Sequence, residues 1–210
     1  MRQIGALALP LGLVIFGLSC TSPNENDLPL RAPGVDMPVV TGLTITSSAG
    51  PEPLGVWGMP SDPPLCSGSS RPDGNGGEDP IPIQYCFLNL YPNPGIFGCS
   101  VEFALPRNSI VSVWVTRARW IGDPVNEAGL VGNSIAVAPQ TLAIAELMRE
   151  RTLPAGHHSV AWSGRDQRGR IAPVGFYRIF FRTGDFLAWH DFFLAHSLDD
   201  FPLGIRRTNY

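Results

Sequence analysis

The sequence predicts an all-β protein: an antiparallel β-sandwich carrying a disordered or loosely structured N-terminal extension. Three observations lead there. The apolar runs Ser159–Trp162, Gly175–Arg182 and Phe186–Leu194 are short, aromatic-rich and bounded by Gly, Asp and Pro, as successive antiparallel strands are. Between the last two, Thr183-Gly184-Asp185 forms a tight reversal in which Gly184 supplies the positive φ of a hairpin. Gly (23) and Pro (21) make up about a fifth of the 210 residues, which favours many short strands and turns over long helices.

Composition bounds the partners. Hydrophobic residues at 44% and five Trp suffice for a real core. All 15 basic residues are Arg, and the formal charge is −3. There is no basic stripe of the kind a nucleic-acid surface requires, so no nucleic acid is expected as a partner. The arginines alternate with apolar residues in the strands and read as solvated faces.

Residues 1–20 read as a signal peptide. Met1-Arg2 gives a small positive start and Ile4 to Leu18 is almost wholly apolar, too short for a membrane span but right for a secretory segment. The ending Phe16-Gly17-Leu18-Ser19-Cys20 resembles a bacterial lipobox, with Gly17 where Leu is favoured. That resemblance implies lipidation of Cys20 and, with Thr21 rather than Asp after it, an outer-membrane lipoprotein. The alternative is an ordinary signal peptide cut near Ser19. Either way the chain is expected to be exported to the cell envelope.

Residues 21–38 are rich in Pro, Asn and Asp and read as a flexible tether. Residues 39–80 form an N-terminal extension with short strands, at Val39–Ser47 and Leu54–Gly58, which either pair together or lie along a sheet edge. A Gly-rich loop follows. Its Asp73, Asn75, Glu78 and Asp79 miss the twelve-residue calcium spacing, so the loop reads as solvated.

Residues 81–196 hold the globular domain. Ile83 to Tyr91 is extended and is stopped by Pro92-Asn93-Pro94-Gly95. Ser100 to Leu105 alternates, with Val101, Phe103 and Leu105 on one face. Ile110 to Trp120 also alternates, with Val111, Val113 and Val115 opposing Ser112, Trp114 and Thr116; the pattern leaves open which face meets the core. Thr141 to Arg151 is rich in helix formers and is read as a short helix, a strand ending at Leu153 being the rival. Residues 197–210 form a tail.

In order along the chain, Tyr91-Pro-Asn-Pro94, the strand Ser100–Leu105 with Pro106, Leu153-Pro-Ala-Gly156, Trp162-Ser-Gly164-Arg-Asp166-x-x-Gly169-Arg170 and Val174-Gly-Phe-Tyr177 resemble the immunoglobulin-like domain of the flagellar hook-capping protein FlgD. Similar domains end many secreted bacterial proteins, including those with type IX sorting domains. Ser163 departs from the family's usual Asp, and Gly122–Arg151 is longer than the usual connection. The resemblance implies an accessory, structural or sorting role with no catalytic residue and no cofactor. Trp162, Gly164, Asp166 and Gly169 are then a structural turn, Asp166 folding its carboxylate onto following amides.

With Cys20 assigned to lipid, Cys66, Cys86 and Cys99 remain. Cys86 with Cys99 is the preferred disulfide, and Cys66 is the rival partner for Cys86. His157, His158 and His190 lack a third convergent ligand, because adjacent strand residues point to opposite faces; no metal is expected. Ser159 beside His158 lacks the turn of a nucleophile elbow. The leading reading is therefore a non-enzymatic, lipid-anchored envelope protein, bound to the membrane by its N-terminal lipid and contacting an envelope or surface protein through aromatics exposed in 110–120 or 186–193. The rivals are a secretion-sorting module and a glycan-binding protein, the last requiring Trp57 and Trp120 to form an exposed, coplanar pair.

Overall fold

The computed structural model describes residues 37–60, 82–120, 140–184 and 186–202. In chain order the strands are β1 Val39–Val40, β2 Gly42–Ser47, β3 Gly50–Gly58, β4 Cys86–Phe87, β5 Gly95–Ile96, β6 Cys99–Leu105, β7 Ser109–Arg117, β8 Arg119–Trp120, β9 Ala145–Leu153, β10 Gly156–Trp162, β11 Gly175–Thr183 and β12 Phe186–Ala195. One sheet has the order β10-β6-β4, and the other β5-β12-β11-β7-β9. Their inner faces share one core, which makes the fold an all-β sandwich.

That core follows from strand alternation. Val101, Phe103 and Leu105 of β6 meet Val111, Val113 and Val115 of β7 and Tyr177, Ile179 and Phe181 of β11. Phe87 stacks on Phe181 with centroids 5.5 Å apart, and Phe103 lies tilted against the same ring at 4.8 Å. Trp162 lies edge-on to Tyr177 at 5.0 Å and to Phe192 at 5.6 Å. Each such aromatic removes ~200 Å² from water, worth roughly 5 kcal/mol before chain entropy is subtracted.

The question of the β7 faces has a simple answer: both are buried. The valines enter the shared core, while Trp114 stacks on Phe180 at 5.1 Å in a separate cluster with Ala143, Leu187 and Trp189. Neighbours on both flanks, β11 and β9, make β7 an interior strand. The aromatics of 110–120 and 186–193 therefore do not form the exposed contact surfaces expected from sequence. Trp114, Phe192 and Phe193 are buried, and Phe186, Trp120 and Trp189 are half-buried.

Ala145–Leu153 is a strand, which corrects the helix expected over Thr141–Arg151; only Gln140–Leu142 makes a 3-10 turn. Its residues favour helices as an isolated peptide, but pairing with β7 from Ser109↔Leu153 to Val115↔Ala145 overrides that preference. The pairing slips between Val111 and Trp114, and Glu150 sits at φ 44°, as in a bulge. Its amide donates to Ser112 Oγ at 3.1 Å.

The N-terminal strands pair with each other as β2–β3, and β1 runs parallel to β8. They belong to the same compact unit as the sandwich. Val40 and Leu43 pack with Phe193, Ala195 and Phe201, and with half-buried Trp57, Trp120 and Phe176. This second core lies on the face of β12 opposite the first. Phe201 brings the start of the tail into it, following a 3-10 turn at Leu198–Asp200. Residues 1–36, which include Cys20, the segment expected to be a signal peptide and nearly all of the expected tether, lie outside the described residues, as do Cys66, the Gly-rich loop and most of Gly122–Arg151.

Candidate functional site

The Trp162–Gly169 motif builds a closed corner between β10 and β11. Asp166 Oδ1 accepts the amides of Arg168 and Arg170, both at 2.9 Å. Oδ2 accepts Arg170 Nε at 2.9 Å and lies 2.8 Å from Nη2. The Asp166 amide donates to the Arg170 carbonyl at 2.8 Å, and the Gly169 amide to the Asp166 carbonyl at 2.9 Å. Arg165 Nη1 caps the Gly169 carbonyl at 2.7 Å. Desolvation pushes the Asp166 carboxyl upward, but the hydrogen bonds from Arg170 and Arg168 outweigh it and hold the group below the usual carboxylate range.

The corner is tied to the core at two points. Trp162 Nε1 donates to the Arg165 carbonyl at 2.9 Å, so the indole buries its ring without stranding its polar atom. Gly98, at the β5–β6 turn, approaches so closely that a Cβ there would stand 1.9 Å from the Trp162 carbonyl oxygen. Every polar atom of the Asp166 carboxylate is spent on its own loop. Such a group is a clasp and is not poised for proton transfer.

A second polar cluster, which sequence reading missed, binds the N-terminal hairpin to the sandwich. Arg178 and Asp191 are opposite one another in the β11–β12 register, and both side chains are fully buried. Arg178 Nε donates to Asp191 Oδ1 at 2.6 Å and Nη2 to Oδ2 at 2.9 Å; Nη2 also reaches the Val39 carbonyl at 2.9 Å. Asn93, from the Pro-Asn-Pro turn, donates Nδ2 to the carbonyls of Asp191 at 2.8 Å and Thr44 at 3.0 Å. Its own amide and carbonyl pair with Thr46 Oγ1 at 2.9 Å and the Thr46 amide at 3.0 Å. Asn89 Nδ2 adds a bond to the Pro51 carbonyl at 2.9 Å. Arg178 is thus no solvated-face arginine. The available signal was its place, with Asp191, inside aromatic-dense runs, the composition that strands buried on both faces carry.

Tyr177 adds a further structural bond, donating its hydroxyl to the Pro173 carbonyl four residues upstream, a tyrosine corner at the entry to β11. Burial pushes this phenol upward, against a smaller opposing effect from Arg117. The spacing Pro173-Val-Gly-Phe-Tyr177 was the readable trace of that corner.

The disulfide expectation needs correction. Cys86 is disulfide-bonded, but Cys99 is free and buried. Register explains it: Cys86 stands opposite Ala104 on β6, whereas Cys99 is opposite Trp162. Five residues of strand separate Cys99 from the rung facing Cys86, roughly 17 Å, far beyond the reach of a disulfide. Cys66, the rival partner, lies outside the described residues. Burial pushes the Cys99 thiol far above its ordinary value.

The histidines do not converge. His158 Nε2 is 2.8 Å from the Pro154 carbonyl and its ring stacks near Phe103, while His190 Nε2 is 3.2 Å from the Phe87 carbonyl. Among the described residues no three His, Cys, Asp or Glu side chains are placed to hold a metal. Trp57 and Trp120 are not a side-by-side platform either. They stack on each other at 4.1 Å and 23°, half-buried, with Phe176 completing the cluster. The coplanar exposed pair that a glycan site requires is absent there.

No family model matches the chain, and neither a curated protein nor a solved structure matches it.

Proposed function

We propose that this chain is a non-enzymatic, lipid-anchored cell-envelope protein whose FlgD-like immunoglobulin-like domain serves as a protein-contact module. The observation carrying this reading is a combination: an apolar N-terminal run ending at Cys20, followed by a sandwich whose most recognisable polar residues are consumed internally. Asp166 is occupied by its own loop and Arg178–Asp191 by a buried pair. A bonded Cys86 suits an oxidising compartment outside the cytoplasm. The order of the Pro-Asn-Pro turn, the Asp166 corner and the Tyr177 strand supports the FlgD-like assignment. Cross-linking of the full tagged chain in intact cells tests the contact role. A discrete adduct with one envelope protein is expected, unchanged in Asp166→Asn. Absence of any adduct beyond background would remove the reading.

A further inference from the structure

We infer that a cleft beside the β7–β8 junction binds an acidic peptide segment in which a carboxylate neighbours an apolar side chain. This inference deepens the protein-contact reading and rests on it. The cleft has a volume of about 280 Å³, and its walls include Met37, Ala118, Val174 and Phe176 together with Arg117 and Arg119. That volume falls just short of the ~300–1,000 Å³ usual for ligand pockets, room for one or two side chains rather than a bulky cofactor.

Charge supplies the specificity. Arg119 is exposed, and Arg117 is half-buried with its guanidinium turned to the Tyr177 hydroxyl. Neither has a carboxylate partner among the described residues, in contrast to Arg170 and Arg178, which hold Asp166 and Asp191. Two guanidiniums with no carboxylate partner among the described residues thus share one concavity on a chain whose net charge is −3. Guanidinium forks match carboxylates bidentately, and the apolar wall gives an adjacent side chain somewhere to leave water. The strands around the cleft are fixed. The Arg119 amide donates to the Pro38 carbonyl at 2.8 Å and the Ala118 amide to the Phe176 carbonyl at 2.9 Å, so binding needs little ordering.

The test uses the full chain and a short fluorescein-labelled peptide of alternating Glu and Leu, read by fluorescence anisotropy. Binding is expected to weaken with added salt and to fall about tenfold in Arg119→Glu. It should also fall in Val174→Trp, which fills the cleft without changing charge. A peptide of alternating Gln and Leu should bind weakly or not at all. Circular dichroism melting serves as the folding control, and Arg119→Glu should melt as the parent does because Arg119 is exposed. Equal binding of the Glu and Gln peptides, or no effect of either substitution, would overturn the cleft. Loss of the cleft alone is distinguishable: the adduct in intact cells would persist in Arg119→Glu.

Discussion

Arg178 and Asp191 form a two-pronged ion pair across β11 and β12 with no exposed side-chain surface, and the same guanidinium holds the Val39 carbonyl of β1. Removing one member leaves a buried charge without its counterion. Asp191→Ala is expected to cost about 3–5 kcal/mol in urea unfolding of the Cys20→Ala chain. Replacing both with Met and Leu should recover most of that loss, since desolvating the pair offsets much of its attraction. A double variant as unstable as the single would show that the link to Val39, and not the pair, dominates.

Asn93 is the hinge pin of the hairpin. Asn93→Ala strands the carbonyls of Thr44 and Asp191, and it strands the Phe193 amide, which donates to Asn93 Oδ1 at 3.3 Å. A loss of about 3 kcal/mol is expected, from two or more buried groups at about 1–3 kcal/mol each. Amide exchange should quicken first at Thr46 and Met59, whose bonds to Asn93 and Thr41 close the hairpin. Uniform acceleration over the whole sandwich would contradict a local role.

Two glycines separate strain from collision. A Cβ at Gly169 meets nothing within 4 Å, but φ is 77°, so Gly169→Ala should cost about 1–2 kcal/mol. At Gly98 a Cβ would meet backbone atoms at 1.9 Å as well as a positive φ. Gly98→Ala is expected to be much the worse of the two in thermal melts. Similar melting points would contradict the close packing of the β5–β6 turn on Trp162.

Acid should loosen the Asp166 corner. Its folded pKa is depressed, so its stabilisation is fully present above the unfolded carboxyl value of about 3.9 and is lost as pH falls below it. Asp166→Asn lacks this dependence. The stability gap between parent and variant should narrow on acidification from about pH 5 to pH 3. A gap that stays constant would mean the carboxylate charge is not what closes the loop.

The cysteines should report the corrected pairing. In peptide-resolved alkylation, Cys99 should stay unlabelled in the native chain and label after unfolding without reductant. Cys86 should label only after unfolding and reduction. Labelling of Cys86 without reductant would contradict its bonded state.

The strands of the core were legible because Val101–Leu105, Val111–Val115 and Phe176–Phe181 carry alternation or aromatic density that few other structures accept. The corner was legible because Asp166 and its glycines act on near neighbours in sequence. What stayed hidden depends on long-range register. Arg178 reads as a solvated-face arginine until pairing places it opposite Asp191. Cys86 and Cys99 read as neighbours until β6 is aligned against both β4 and β10. β9 shows the same limit from the other side, a helix-forming segment recruited to an edge by β7.

The anchor is the centre of the functional account, and fractionation of cells expressing Cys20→Ala tests it most directly. The parent chain should sediment with the envelope and partition into detergent, while Cys20→Ala should appear as a folded soluble protein outside the cytoplasm. A Cys20→Ala chain that remains in the membrane fraction would contradict it.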